Sequence, residues 1–226
     1  MSAHSIRRLG AIVLCACLLT TLPFSAYAKE GVSVREGESS KKIALTFDDG
    51  PSAEYTAKIL DILQKYNVKA TFFVIGVNAQ KHPDLLGRII SDGHEVGNHT
   101  YSHPHLQKMD EFALLEELNK ADEVFQKLCG ISPTLFRPPE GVVSNAVKAA
   151  AQSKGYTMVL WNIDTRDWAL NNADNIIRLI DKQASDGDIV LFHDWVAGKS
   201  PTPAALEIII PRLQARGFEF VKVSEL

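Results

Sequence analysis

The sequence predicts an α/β fold: a mainly parallel sheet, open or closed into a barrel, covered by helices. From residue 41 to the end, short β-type apolar runs alternate with stretches of helical period. Strand and helix repeating in this order imply right-handed β-α crossovers between parallel strands. The chain has 226 residues, which, less a removable leader, suits one domain with a sizeable core.

The first β-type run is Ile43–Phe47, followed by a helical stretch at Tyr55–Tyr66. Strand Ala70–Ile75 then leads to helix Pro83–Ile90, and strand His94–Gly97 to helix Glu111–Leu128. In the second half the alternation continues as helix Ser144–Ser153, strand Tyr156–Trp161, helix Ala173–Ala184, strand Ile189–Phe192, helix Pro203–Ala215 and strand Phe218–Val223. Neither an internal repeat nor a low-complexity segment interrupts the rhythm. Open sheets and barrels of this kind both place their chemistry on loops after the carboxyl ends of strands.

Residues 1–28 read as a secretory signal. Arg7 and Arg8 form a basic region, Leu9 to Leu22 an apolar run, and Ala26-Tyr27-Ala28 a small-x-small cleavage site. The apolar run is shorter than the roughly 20 residues that span a bilayer, so the expectation is a secreted chain beginning at Lys29, without stable membrane insertion. Leu14-Cys15-Ala16-Cys17 is a fainter lipoprotein-like alternative inside the same run. Residues 29–40, rich in Gly, Glu and Ser, suit a polar linker to a catalytic domain at 41–226. Of three cysteines, two lie in the signal. Cys129 is then alone in the mature chain, before Gly130 at a helix end, where a semi-buried structural thiol is expected. A net charge of −3 and a pI near 6.2 provide no electrostatic footprint for nucleic acid or an anionic membrane. A monomer is the default for so compact a domain.

Two polar clusters stand out. In Thr46-Phe47-Asp48-Asp49-Gly50-Pro51 an apolar strand stops at adjacent carboxylates. The pair repels itself, and a metal ion resolves the conflict by binding one acid and leaving the other as a base; an Asp-Gly turn is the innocent alternative. In His99-Thr100-Tyr101-Ser102-His103-Pro104 the imidazoles at i and i+4 share a face if one helical turn separates them, ending at Pro104. Two histidines and a carboxylate make a ligand set with positions left open for water and substrate. His94 and His105, nearby, have no such partner and are expected to be structural or supporting. Weaker clusters follow at Arg137-Pro138-Pro139-Glu140-Gly141, Asp164-Thr165-Arg166-Asp167-Trp168 and Leu191-Phe192-His193.

Taken in order, the five clusters closely resemble the motifs of the polysaccharide deacetylases, the NodB-homology domain of carbohydrate esterase family 4, from about Lys41 to the C-terminus. The resemblance implies a distorted (β/α) barrel. It also implies that Asp48 is the general base and that Asp49, His99 and His103 bind the metal. Arg137 would hold the base carboxylate, Asp167 would tune the acid His193, Trp168 would shape the groove wall, and Leu191 would line the acetyl-methyl pocket. Glu140 stands where the family usually has Tyr; the backbone N–H used for the oxyanion is retained, while the rim gains a charge.

The implied reaction is N-deacetylation of amino sugars in peptidoglycan, chitin-like oligomers or poly-N-acetylglucosamine, with zinc, or else cobalt or nickel, at the site. The alternatives are a metal-dependent amidase on another cell-wall amide and a glycan-binding module without catalysis. No ligand, base or acid of the motif set is missing, which argues against the last.

Overall fold

The computed structural model describes Met1, residues 41–169 and residues 172–226. The expected signal, its cleavage site, Cys15, Cys17 and the linker lie outside the described residues. In chain order the elements are β1 (Lys41–Asp48), α1 (Tyr55–Lys65), β2 (Thr71–Val74), α2 (Gly76–Lys81), α3 (Pro83–Ser91), β3 (Glu95–Asn98), α4 (Glu111–Cys129), β4 (Leu135–Phe136), α5 (Asn145–Ser153), β5 (Thr157–Met158), β6 (Ile163–Asp164), α6 (Ala173–Gln183), β7 (Asp188–His193), α7 (Thr202–Ala215) and β8 (Phe218–Phe220). Single 3₁₀ turns occur at Leu106–Lys108, Pro139–Gly141 and Val223–Glu225.

All pairings are parallel, in the order β5-β4-β3-β2-β1-β7-β6, with β8 added beside the first residues of β1. The two ends of this order are consecutive in sequence, since Met158 closes β5 and Ile163 opens β6. Seven strands laid flat would set their outer edges about 29 Å apart at ~4.8 Å per spacing. The connecting chain reaches at most about 18 Å. The sheet must therefore curl until its edges approach, and because β5 and β6 do not pair, the result is a distorted, incompletely closed (β/α) barrel.

Alternation along the strands sorts the side chains. Ile43, Leu45 and Phe47 of β1 point outward with Phe72, Val190 and Phe192 into the main core, where they meet Ile59 and Leu63 of α1 and Leu206 and Ile210 of α7. The Phe47 ring stacks on Phe72 at 5.0 Å and on Phe192 at 5.7 Å, joining three strands. Thr46 and Asp48 point the other way, into a small interior that also holds Phe73, Leu135 and Val159. A second cluster of Leu114, Leu118, Phe136 and Val147 fastens α4 and α5 over β4.

Local signals place the helix ends. Asp110 caps α4 by accepting from the Ala113 N–H, and Gly130 ends it at φ 67°, a conformation glycine enters without Cβ strain. Cys129 sits half-buried at that end, as expected. Ser144 caps α5 and Asn172 caps α6 in the same manner as Asp110.

Two expectations are corrected, and three short elements are added. The run Tyr156–Trp161 pairs only at Thr157–Met158, because the following carbonyls of Val159 and Leu160 accept from Arg137 instead. The helix α2 and the two-residue strands β4 and β6 were not anticipated, being too short for a periodicity to register. The segment from His99 to His103 is not a helical turn: Thr100 and His103 have φ of 68° and 56°. Among the described residues no helix is long and apolar enough to cross a membrane.

Candidate active site

Parallel pairing sets every strand's carboxyl end at one rim, and the five clusters meet there. Asp48 is the last residue of β1 and lies in register with His193, the last of β7; Thr46 is likewise in register with Leu191. His99 follows β3, Arg137 follows β4, and Asp167 lies three residues past β6.

The ligating atoms of Asp49, His99 and His103 all lie within 4.8 Å of one another. Asp49 Oδ1 is 3.4 Å from Nε2 of both histidines, is buried, and has no hydrogen-bond partner. Burial would raise the Asp49 carboxyl, but His99, His193 and His103 outweigh it and hold the group below its ordinary value. The orientation of His99 is fixed from behind, because its Nδ1–H donates to the Arg137 carbonyl at 2.7 Å and leaves the Nε2 lone pair facing Asp49. Two imidazole nitrogens and an unpartnered carboxylate oxygen converging without a donor between them fit a cation of the zinc class.

Asp48 is 3 % exposed. Its Oδ1 accepts from Arg137 Nη1 at 2.7 Å, and its Oδ2 lies 3.8 Å from His99 Nε2. Arg137 has no exposed surface, so its charge must be met internally. Asp48, Thr46 Oγ1 at 2.8 Å and the Leu160 carbonyl at 3.0 Å do so, and the Phe73 ring lies 4.1 Å from the guanidinium carbon.

On the other side His193 Nδ1 donates to Asp167 Oδ1 at 2.7 Å, and the His193 N–H donates to Asp167 Oδ2 at 2.8 Å. Burial opposes the imidazolium, yet Asp167, with the charges of Asp48 and Asp49, raises His193 to about 9. At neutral pH it carries a proton it can give away. Trp168, the residue after Asp167, is exposed, and Leu191, two residues before His193 on β7, is buried. Glu140 sits in a 3₁₀ turn at φ 56°, its carboxylate accepting from Gln107 Nε2 at 3.1 Å and facing His105 Nδ1 at 2.9 Å. His94 is structural: its Nδ1 accepts from the Ala70 N–H at 3.2 Å, and burial takes its pKa down to about 4.

Four residues outside the motif reading hold these loops. Asp194, 1 % exposed, accepts from the Gly50 N–H at 2.8 Å and from Thr56 Oγ1 at 2.6 Å, and burial pushes its carboxyl up to about 7. A Cβ on Gly50 would collide with that carboxylate, so the glycine of the opening motif is required by packing. Asn78 Nδ2 donates to the Asp49 carbonyl at 2.7 Å, while the N–H of Gly76 donates to the Thr100 carbonyl at 3.0 Å, making the start of α2 a strut between the two ligand loops. Glu117 of α4 accepts from the N–H groups of Tyr101 and Ser102 at 3.0 and 2.8 Å. Adjacency to His193 was the only sequence signal for Asp194, and the others had none.

Among the described residues six non-glycines have positive φ, and Asp49, Thr100, His103, Glu140 and Arg166 all belong to the site loops. Such conformations cost about 1–3 kcal/mol each and persist where surrounding contacts over-determine them. The strut, Glu117 and Asp194 are those contacts for the first three.

A family model described as polysaccharide deacetylase matches residues 35–159, which takes in the first three clusters. A peptidoglycan-N-acetylglucosamine deacetylase of Bacillus cereus is 42% identical over 190 residues, covering 83% of this chain and 89% of that protein. A chitooligosaccharide deacetylase of Bradyrhizobium is 35% identical over 199 residues, covering 83% and 91%. Among solved structures, the peptidoglycan deacetylase PdaC of Bacillus subtilis superposes with TM-score 0.76 at 38% identity, covering 82% of this chain and 89% of that one. A family 4 acetyl xylan esterase of Clostridium thermocellum, in complex with a cobalt ion, superposes at 0.77 with 37% identity and the same two coverages.

Proposed function

The chain belongs to the polysaccharide deacetylase family, and from that premise we propose that it is a secreted, zinc-dependent hydrolase that releases acetate from N-acetylated amino sugars of peptidoglycan or a chitin-type polymer. The observation that carries this reading is the buried, unpartnered Asp49 Oδ1 facing two histidine Nε2 atoms, with Asp48 beside it and tied to Arg137.

An acetamide is a weak electrophile with a poor leaving group, so its hydrolysis needs an activated water, a stabilised oxyanion and a proton for the departing nitrogen. When bound by Asp49, His99 and His103, a zinc ion supplies Lewis acidity toward the acetyl oxygen and lowers the pKa of water in its coordination shell. Asp48 takes the proton from the attacking water. Its ion pair with Arg137 through Oδ1 holds the carboxylate in place and turns Oδ2 toward the ligand cluster. His193, protonated through Asp167, delivers a proton to the amine nitrogen. Leu191 and Trp168 bound the acetyl group and the sugar, and the Glu140 N–H is available to the oxyanion.

The assignment of Asp48 is tested by Asp48→Asn, which keeps the shape and removes the base. Acetate release falls by about 10²–10⁴ while zinc stays bound in stoichiometric amount. Near-normal turnover in that variant, or full activity after the metal has been stripped, defeats the reading.

A further inference from the structure

Beside the site a groove of about 660 Å³ opens along the edge that carries Asp49 and His193. It begins at Pro51, two residues past Asp49, and at Asn78, whose amide donates to the Asp49 carbonyl. Trp195, two residues past His193 and 49 % exposed, forms one wall. Lys81 and Lys199 also line it. Among the described residues neither lysine forms an ion pair. The acid in the lining, Glu54, is paired with Lys58 at 3.3 Å. The floor is held in place, because Ser52 Oγ donates to the Asp194 carbonyl at 2.6 Å and Tyr55 Oη to the Gly198 carbonyl at 2.8 Å.

A chain of net charge −3 thus presents two uncompensated ammonium groups and a half-exposed indole in one groove beside its site. We propose that the groove is a subsite for a sugar bearing a carboxylate, next along the polymer to the N-acetylated one. Trp195 packs against the sugar ring, an amphipathic surface suited to an indole. Lys81 and Lys199 meet the carboxylate. The inference rests on the deacetylase reading above and narrows it: a glycan with an acidic group on alternate sugars fits this groove, and a uniform neutral polymer leaves both lysines without a partner.

The test compares two substrates that differ in charge alone. One is peptide-free peptidoglycan strand, with a lactyl carboxylate on alternate sugars; the other is the same strand with those carboxylates converted to neutral methyl amides. At low salt the wild type shows a kcat/KM for acetate release three- to tenfold higher on the acidic strand, about the reach of two exposed charge pairs. That ratio falls toward one as salt rises. In Lys81→Ala/Lys199→Ala the ratio is near one at every salt concentration, and Trp195→Ala raises KM on both strands. A wild-type ratio of one, or a double variant that keeps the wild-type ratio, overturns the subsite. Failure to release acetate from either strand counts instead against the deacetylase reading itself.

Discussion

His193 illustrates how one partner decides which way a buried imidazole goes. Burial alone takes such a group down, as at His94, whose pKa is about 4. Asp167, with the charges of Asp48 and Asp49, reverses the sign and carries His193 to about 9. In its proposed role as the acid His193 must be protonated to act, so activity is expected to hold below that value and to be lost as pH rises through it. In Asp167→Asn the largest raising contribution is gone, while the burial and the smaller pull of Asp48 and Asp49 remain. The basic limb of the kcat/KM profile then moves down toward or below the ordinary ~6.5, giving a loss of tenfold or more near pH 8 that shrinks near pH 6. A merely structural aspartate would lower the whole profile without moving its limb. The individual groups were legible in the sequence because each is a chemically unusual choice for its place: paired acids at a strand end, spaced imidazoles, a lone His after an apolar run. Asp194 was not, since a single Asp after a His says nothing about whether it is buried, and only the fold brings it under Gly50.

At the scale of elements, the ligand loops are irregular and the helices behind them do the fixing. The two imidazoles were expected on one helical turn. They meet instead because left-handed residues at Thr100 and His103 fold the loop back on itself, their ring centroids 5.2 Å apart. The i, i+4 spacing therefore pointed to two imidazoles that do converge on Asp49, with the wrong geometry behind it; Pro104 signals the break, and nothing in the residue pattern specifies the alternative. What replaces helical hydrogen bonding is Glu117, whose carboxylate takes the N–H groups of Tyr101 and Ser102 and the Ser102 hydroxyl. Charge-assisted bonds of this kind are among the stronger ones a loop can have. Glu117→Ala leaves these donors to water and frees the loop to leave its strained conformation. Zinc affinity, measured by competition with a chelator, should fall by roughly tenfold, the lower end for contacts that orient a ligand indirectly. Rate at saturating zinc should recover much of the loss. Unchanged affinity would mean that the loop holds its shape without α4.

For the molecule as a whole, the alternation of strand and helix was readable from periodicity, while closure was implied only by the family resemblance. Periodicity reports which segments are strands, but the curl is set by pairing, and the strands that complete it, β4 and β6, are two residues long. Only the order of the sheet, with its two ends joined by four residues, forces the edges together. The same architecture makes the proposed metal a structural tie. Asp49 comes from the end of β1 and the histidines from beyond β3, two strands away with β2 between. Without a cation the buried Asp49 Oδ1 has no hydrogen-bond partner and only the imidazoles at 3.4 Å to offset it, while Asp48 is held by Arg137. Proton and metal compete for the same Nε2 lone pairs, so binding favours the folded chain and releases protons. Ligand linkage then stabilises the fold by about 2.7 kcal/mol at free zinc a hundredfold above Kd. For a domain of this size that is an upward shift in Tm of roughly 5–10 °C. Thermal unfolding of the chelated protein against the zinc-loaded one should show it, and His103→Ala should abolish most of the difference while unfolding near the chelated wild type. Equal midpoints with and without zinc, in a protein that still binds it, would mean that the unfolded chain holds the ion as well as the native one, and that the rim is not preformed around it.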